Sequence, residues 1–438
     1  MTHILFVSSY YPPEVAPPAI RIYETALQLV KLGHQVTVLT TFPNFPTGIV
    51  PSEYRGKLVQ REERDGISIV RVWSYIRPNR GFLRRIASQL SFGCLAAFLG
   101  GKAVGYPDVL IVESPPLFNA IAGRILAWRK GCPFIFTVAD LWPEVAVKMG
   151  LLRNQWVIRM AEWLASSTYR SAGLVWAVTS GLKDLLVKSG LPSEKVFVLT
   201  NGVDCTKFRP ISKVEARVEL GWDERFTLLY AGGHGPSHNL MTVLAAAEQL
   251  LEYQDIRIVL AGDGSEKEDL IQAAQQRGLK NVAFLDAQPH MRIPLLLAAC
   301  DACLALATKA ILFQGVIPAK MYEAMASARP LILMVDGEAR RIAVEEAQAA
   351  IYAEPEDSVA LAEALLYLKN HSEEAARLGK RGRVFVEEHN DRCDLVEMLD
   401  THIRELLKRD SHLTNVQDTP ETLTPSALIK NSKKLVNK

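Results

Sequence analysis

The 438 residues are 49% hydrophobic and 22% charged, with 27 Gly and 23 Pro, which describes two or three packed domains and excludes a fibrous or largely disordered chain. Fifty Lys and Arg against 48 Asp and Glu leave a net charge of +2, too balanced for the whole chain to hold nucleic acid electrostatically. Six scattered cysteines suit a reducing compartment, no uncharged apolar run is long enough to span a membrane, and His3-Ile4-Leu5-Phe6-Val7-Ser8 has a buried strand's pattern rather than a signal peptide's.

Short runs of Val, Ile, Leu and Phe alternate with helix-period segments, which is the pattern of βαβ units on a parallel sheet. In the first half, strands are expected near 3–8, 35–40, 68–73, 108–112, 133–138, 173–178 and 195–199, with helices near 18–32, 82–104, 117–130, 152–171 and 179–189. The second half repeats it, with strands near 226–231, 256–261, 281–285, 302–306 and 331–335 and helices near 237–251, 265–277, 290–299, 318–328 and 357–369. Asn201-Gly202 and Pro210 punctuate the join, so 1–200 and 212–380 read as two domains and 201–211 as their hinge. Thr, Ser, Asn and Pro dominate the end of the chain, so 409–438 is expected to be a disordered tail.

Residues 66–107 hold no acid but six cations, Arg71, Arg77, Arg80, Arg84, Arg85 and Lys102, and an apolar stretch from Phe82 to Leu99 follows the arginines. This suits an interfacial helix on anionic lipid, or a buried domain helix with a solvated basic cap. Asp140, in Val138-Ala139-Asp140-Leu141-Trp142-Pro143-Glu144, ends a strand where open parallel sheets bind their ligands. It can orient a hydroxyl or a developing oxocarbenium charge, or cap the next segment.

Three strand-to-helix turns can hold an anion. Gly232-Gly233-His234-Gly235 and Gly262-Asp263-Gly264 would let backbone N–H groups approach it, although a tight turn needs glycine anyway. In Gly315-Val316-Ile317-Pro318-Ala319-Lys320, free amides and the Lys320 ammonium can hold a diphosphate. Glu323, one turn further, can accept two hydrogen bonds from a ribose diol or simply complement the helix dipole. Cys300-Asp301-Ala302-Cys303 lacks a second pair at zinc spacing and reads as buried core, and no Asp-x-Asp occurs, so no metal site is assigned.

Together, Tyr10-Tyr11-Pro12-Pro13-Glu14, Gly33-His34-Gln35-Val36, Pro43-Asn44-Phe45-Pro46-Thr47-Gly48, Ser114-Pro115-Pro116, Asp140-Leu141-Trp142-Pro143-Glu144, Asn201-Gly202-Val203-Asp204, Gly262-Asp263-Gly264 and Pro318-x-Lys320-x-x-Glu323 resemble family 4 glycosyltransferases of the GT-B fold, most closely the colanic-acid and O-antigen assembly type. The resemblance implies two Rossmann-like, doubly wound parallel-sheet domains facing across a cleft. A last helix, 381–408, would pack back on the first domain. It implies a hexosyltransferase that needs no metal or cofactor and moves a sugar, with retention, from a nucleoside-diphosphate sugar, UDP being the expected nucleotide. The acceptor would be a polyprenyl-diphosphate-linked glycan, and the protein would lie peripherally on the cytoplasmic face of the cell membrane in surface-polysaccharide or lipopolysaccharide synthesis.

By the same resemblance, Glu323 binds the donor ribose, amides around Ala319 and Lys320 bind the diphosphate, Gly232, Gly233 and Gly235 approach the transferred sugar and phosphate, and Asp140 is nearest the acceptor hydroxyl. Three positions depart from the pattern: Gly315 stands where many relatives carry Glu, the loop after 226–231 lacks Arg and Lys, and 15–21 lacks glycine. Lys320 with His234 or His238 must then supply the positive charge. A sugar-nucleotide epimerase and a non-catalytic scaffold subunit are the competing readings, whereas a nicotinamide dehydrogenase conflicts with Ser8-Ser9-Tyr10-Tyr11-Pro12-Pro13 after the first strand.

Overall fold

The computed structural model describes residues 1–14, 16–44, 48–76, 82–148, 150, 152–309 and 317–417. The first lobe comprises β1 (His3–Val7), α1 (Pro17–Lys31), β2 (Gln35–Thr41), β3 (Val59–Arg64), β4 (Ile67–Val72), α2 (Phe82–Leu99), β5 (Val109–Ser114), α3 (Asn119–Lys130), β6 (Phe134–Val138), α4 (Glu144–Lys148), α5 (Gln155–Ser171), β7 (Leu174–Ala177), α6 (Ser180–Lys188) and β8 (Val196–Val198). They build one eight-stranded sheet in the order β3-β4-β2-β1-β5-β6-β7-β8. Its strands are parallel except β3, which pairs antiparallel with β4.

The sequence pattern misses β3 because Val59-Gln60-Arg61-Glu62-Glu63-Arg64 has no apolar face to bury. Its charges suit an unpaired outer edge, where they oppose pairing with another chain. The recoverable signal is Asp65-Gly66, both at positive φ, which is the turn chemistry of a tight hairpin.

The second lobe follows the same βα alternation. It comprises α7 (Lys213–Leu220), β9 (Phe226–Ala231), α8 (Met241–Gln249), β10 (Ile256–Ala261), α9 (Lys267–Gln276), β11 (Val282–Leu285), α10 (Ile293–Ala299), β12 (Ala302–Leu306), α11 (Ala319–Ala326), β13 (Leu331–Met334), α12 (Glu338–Arg340), β14 (Ala350–Tyr352), α13 (Ser358–Asn370) and α14 (Ser372–His389). Its six-stranded sheet, β11-β10-β9-β12-β13-β14, is parallel throughout. Strands such as β10 and β12 are buried along their whole length because helices cover both faces, which is why they read as continuous apolar runs.

The expected helix 381–408 is two helices. Its first part ends α14, which stays with the second lobe because Gly379 lets it approach α11's exit: a Cβ there would meet Ala328 O at 2.3 Å. The chain then crosses at Asn390 and Asp391 into α15 (Arg392–Gln417). This crossing lies beside the first one, since Val203 N donates to Asn390 O at 2.9 Å and Arg392 N to Val203 O at 2.9 Å. α15 returns to the first lobe, where Leu395, Val396, Leu399 and Ile403 pack with Ile22, Ala26 and Leu29 of α1. Because α15 reaches Gln417, the start of the expected tail is helical, and 418–438 lies outside the described residues. No helix among the described residues is long and apolar enough to cross a membrane.

Leu399 is fully buried in that return contact. Leu399→Ala is expected to destabilise the protein by about 2–5 kcal/mol through the cavity it leaves, read as a lowered urea midpoint.

Candidate donor and acceptor cleft

The carboxyl ends of both sheets face one cleft, where loops after β9 and β10 and the start of α11 meet. His234 N donates to Asp263 O at 2.8 Å and Gly232 N to Ala261 O at 2.9 Å, so the two glycine loops interlock. Gly262 and Gly264 serve that fit directly: a Cβ on Gly262 would meet Gly232 O at 1.8 Å, and one on Gly264 would meet His234 O at 2.2 Å. A Cβ on Gly235, in contrast, would meet nothing within 4 Å. Helix α8 starts at Met241 rather than 237 because Pro236 and Asn239, at φ 47°, hold the preceding residues in a turn.

Lys320 is the most unusual group in the cleft. The residue is half-buried, but its Nζ is shielded from solvent and has no hydrogen-bond partner. It lies 3.8 Å from the centre of the Tyr230 ring, and a Cβ on Gly232 would come within 2.3 Å of it. Burial pulls its pKa down to about 7, with Glu323 opposing. A buried ammonium without a hydrogen-bond partner is costly, and an anion placed there would favour its charged form, which makes Lys320 a candidate anion ligand.

His234 is fully buried with both ring nitrogens unpartnered. Burial, then the charges of Lys267 and Lys320, push it down to about 4. His238 is also lowered to about 4, by burial, then Lys320 and His234. The expectation that either histidine supplies positive charge is therefore corrected for the free protein, where both rings are neutral and Lys320 is the cation. The Tyr230 ring lies beside both, and its hydroxyl donates to the Gly233 carbonyl at 2.7 Å.

Glu323, near the start of α11 with Ala319, faces His290, whose Nε2 is 3.3 Å from the carboxylate. The Lys207 ammonium donates to His290 Nδ1 at 2.7 Å, which leaves Nε2–H to donate to Glu323. Glu24 of α1 completes the cluster from the opposite lobe, 3.1 Å from Arg392, 3.7 Å from Lys207 and 3.8 Å from His290. None of these four partners carries a sequence signal, because they are distant in the chain and meet only when the lobes do.

In the first lobe, Asp140 follows β6 and does not cap α4, which starts at Glu144. Burial pushes its carboxyl up to about 6, with the charge of Arg21 opposing. Arg21 is paired directly with Glu113 of β5 and also donates to Asn201 Oδ1 at 2.8 Å. Glu113 is itself raised to about 7 by burial, with Arg21 opposing and Asp140 adding to the rise. A second bridge between lobes runs from Glu338, whose carboxylate accepts from Ser180 N and Gly181 N at 2.9 and 3.2 Å at the start of α6.

The basic stretch is only partly a surface feature. Arg71 is buried, 3.0 Å from Glu62 and donating to Pro12 O at 2.6 Å, so it is removed from the candidate membrane patch. Arg84 is exposed, whereas Arg77, Arg80, the side chain of Arg85, and Gly315 lie outside the described residues. Phe92, Ala96 and Ala97 of α2 are core residues. Cys300 and Cys303 are buried, with 3.5 Å between their sulfurs.

Residues 18–202 match the family described as "Glycosyl transferase 4-like domain", and residues 212–385 match "Glycosyl transferases group 1". The chain is 26% identical over 331 residues to the "Putative colanic acid biosynthesis glycosyl transferase WcaI" of Escherichia coli, covering 74% of this chain and 81% of that one. Its fold is similar to sucrose-phosphate synthase from Thermosynechococcus elongatus, with TM-score 0.72 and 16% identity over 93% of this chain and 100% of that one. It is also similar to HepE of Anabaena in complex with UDP and glucose, with TM-score 0.69 and 18% identity over 92% of this chain and 100% of that one. With both lobes matched to glycosyltransferase families and the architecture shared with enzymes of that kind, the chain is a glycosyltransferase of the GT-B type.

Proposed function

We propose that this enzyme moves a hexosyl group, with retention and without a metal, from a UDP-linked sugar to a polyprenyl-diphosphate-linked glycan at the cytoplasmic membrane face, in surface-polysaccharide synthesis. The observation that carries the donor assignment is the unpartnered Lys320 ammonium, enclosed by Gly232 and Tyr230 and one helical turn from Glu323. The UDP held by HepE supports the choice of nucleotide, and the name of WcaI supports the class of product.

In this mechanism the amides of Ala319 and Lys320 and the Lys320 ammonium hold the donor diphosphate, and Glu323 takes the ribose diol. The acceptor hydroxyl, oriented near Asp140, attacks the anomeric carbon on the face from which the diphosphate leaves. The bond from that carbon to the phosphate oxygen breaks, and the departing oxygen takes the acceptor's proton. Charge accumulates on the diphosphate, so Lys320 and the helix-start amides stabilise the transition state more than the ground state.

Glu323→Ala is expected to weaken UDP binding about 10- to 100-fold, the worth of two hydrogen bonds to a carboxylate less the His290 contact they replace, and calorimetry that finds undiminished affinity would remove the ribose assignment. Lys320→Met is expected to raise the melting temperature of the free protein, because it removes a buried unpaired charge, while abolishing the stabilisation that UDP confers. Since Lys320 loses its proton as pH rises through about 7 and a bound diphosphate retains it, wild-type UDP affinity should fall up to about tenfold per pH unit above that point. Lys320→Met should flatten this dependence, and a profile that falls equally in both proteins would place the titrating group elsewhere.

A further inference from the structure

In the first lobe, α2, α3, α5 and α6 form one layer over the sheet, with the inner side of α5 packed through Ala165 and Tyr169. Its outer side is different. Trp156, Met160 and Trp163, spaced four and three residues apart, form a single ridge and are 76%, 70% and 64% exposed. Single exposed apolar residues are ordinary, but two tryptophans and a methionine in line on one helix are not.

The helices of this layer are net basic, with Glu144 and Glu162 the acids that stand beside Trp163. Among the described side chains of α2, α3 and α5 stand Arg84, Arg124, Arg129, Lys130, Arg159 and Arg170, against Glu162. A second copy of so basic a face would repel it, whereas anionic lipid complements it: indoles settle at the headgroup level, and guanidinium groups reach the phosphates. The ridge is also well placed. α5 runs antiparallel to the strands, so its Trp156 end lies towards the carboxyl end of the sheet, where Asp140 follows β6, through the short link formed by α4.

We infer that the Trp156–Met160–Trp163 ridge of α5, rather than the arginine-rich start of α2, is the element that docks this protein on an anionic lipid bilayer. The inference rests on the proposed lipid-linked acceptor and names the surface that brings the cleft to it. Among its described side chains α2 packs Phe92, Ala96 and Ala97 into the core and exposes Leu90 and Phe98 apart from each other, whereas α5 buries one side and aligns three large apolar residues on the other.

The test is flotation of the full chain with phosphatidylcholine vesicles, with and without roughly 30 mol% phosphatidylglycerol. Wild type should float with the anionic vesicles, and the triple variant Trp156→Glu, Met160→Glu, Trp163→Glu should lose at least tenfold in partitioning while keeping its UDP-induced thermal shift. Val218→Glu, at a 77% exposed position in the second lobe, should change nothing. Equal flotation of wild type and the triple variant overturns the inference, as does a wild-type dimer in sedimentation that the variant breaks. If the ridge governs flotation but the enzyme uses only a soluble acceptor, the acceptor reading fails and the ridge stands. If a lipid-linked acceptor in detergent is glycosylated equally by both proteins and flotation is also equal, the ridge fails and the acceptor reading stands.

Discussion

Glu24 is the point on which the two lobes agree. It belongs to α1, yet its carboxylate is surrounded by Lys207 and His290 from the second lobe and by Arg392 at the return crossing. Arg392 is fully enclosed, and burial lowers its pKa, so an uncompensated guanidinium there would be costly and Glu24 makes it tolerable. His290 then carries the same cluster to Glu323. The carboxylate proposed to meet the ribose is thereby coupled, through one imidazole, to the relative placement of the lobes, and a nucleoside that takes Glu323 must compete with His290.

The two sides of the cleft solve opposite electrostatic problems. In the second lobe the Lys320 ammonium is shielded with no hydrogen-bond partner, and the buried His234 and half-buried His238 are held neutral beside it. The first lobe carries two raised carboxyls, Asp140 and Glu113, with Arg21 as the opposing charge between them. The proposed sites would use this asymmetry, a diphosphate on the one wall and a hydroxyl on the other. Glu338 at the start of α6 shows the same logic in a structural role, with a carboxylate from one lobe satisfying helix amides of the other.

Surface and core divide the helices of the first lobe in a way that charge counting does not reveal. Arg71 lies in the same acid-free stretch as Arg84, but it is an interior residue that joins Glu62 to the Pro12 carbonyl. Conversely, the segment containing α5 looks like an ordinary amphipathic helix, and only its packing shows that a second apolar side remains uncovered.

Much of the fold was legible because parallel strands buried on both faces must be continuous apolar runs, and βα alternation leaves few topologies open. The places of Asp140, Lys320 and Glu323 were legible as well, because a strand end and a helix start are features that sequence can locate. Edge strand β3 was not, since an edge has no need of an apolar face, and neither was the break at Asn390, which exists because the returning chain pairs with Val203. Gly262 and Gly264 had a pattern whose reason lay elsewhere, in the close contact of two loops. What the sequence by itself determined was most of the buried strands with the helices between them and the identity of the chemical groups, because both follow from local periodicity and residue type. Charge state, partners and exposure were decided only by the tertiary structure, because desolvation and ion pairing depend on residues far apart in the chain, as Glu24 and Arg392 show.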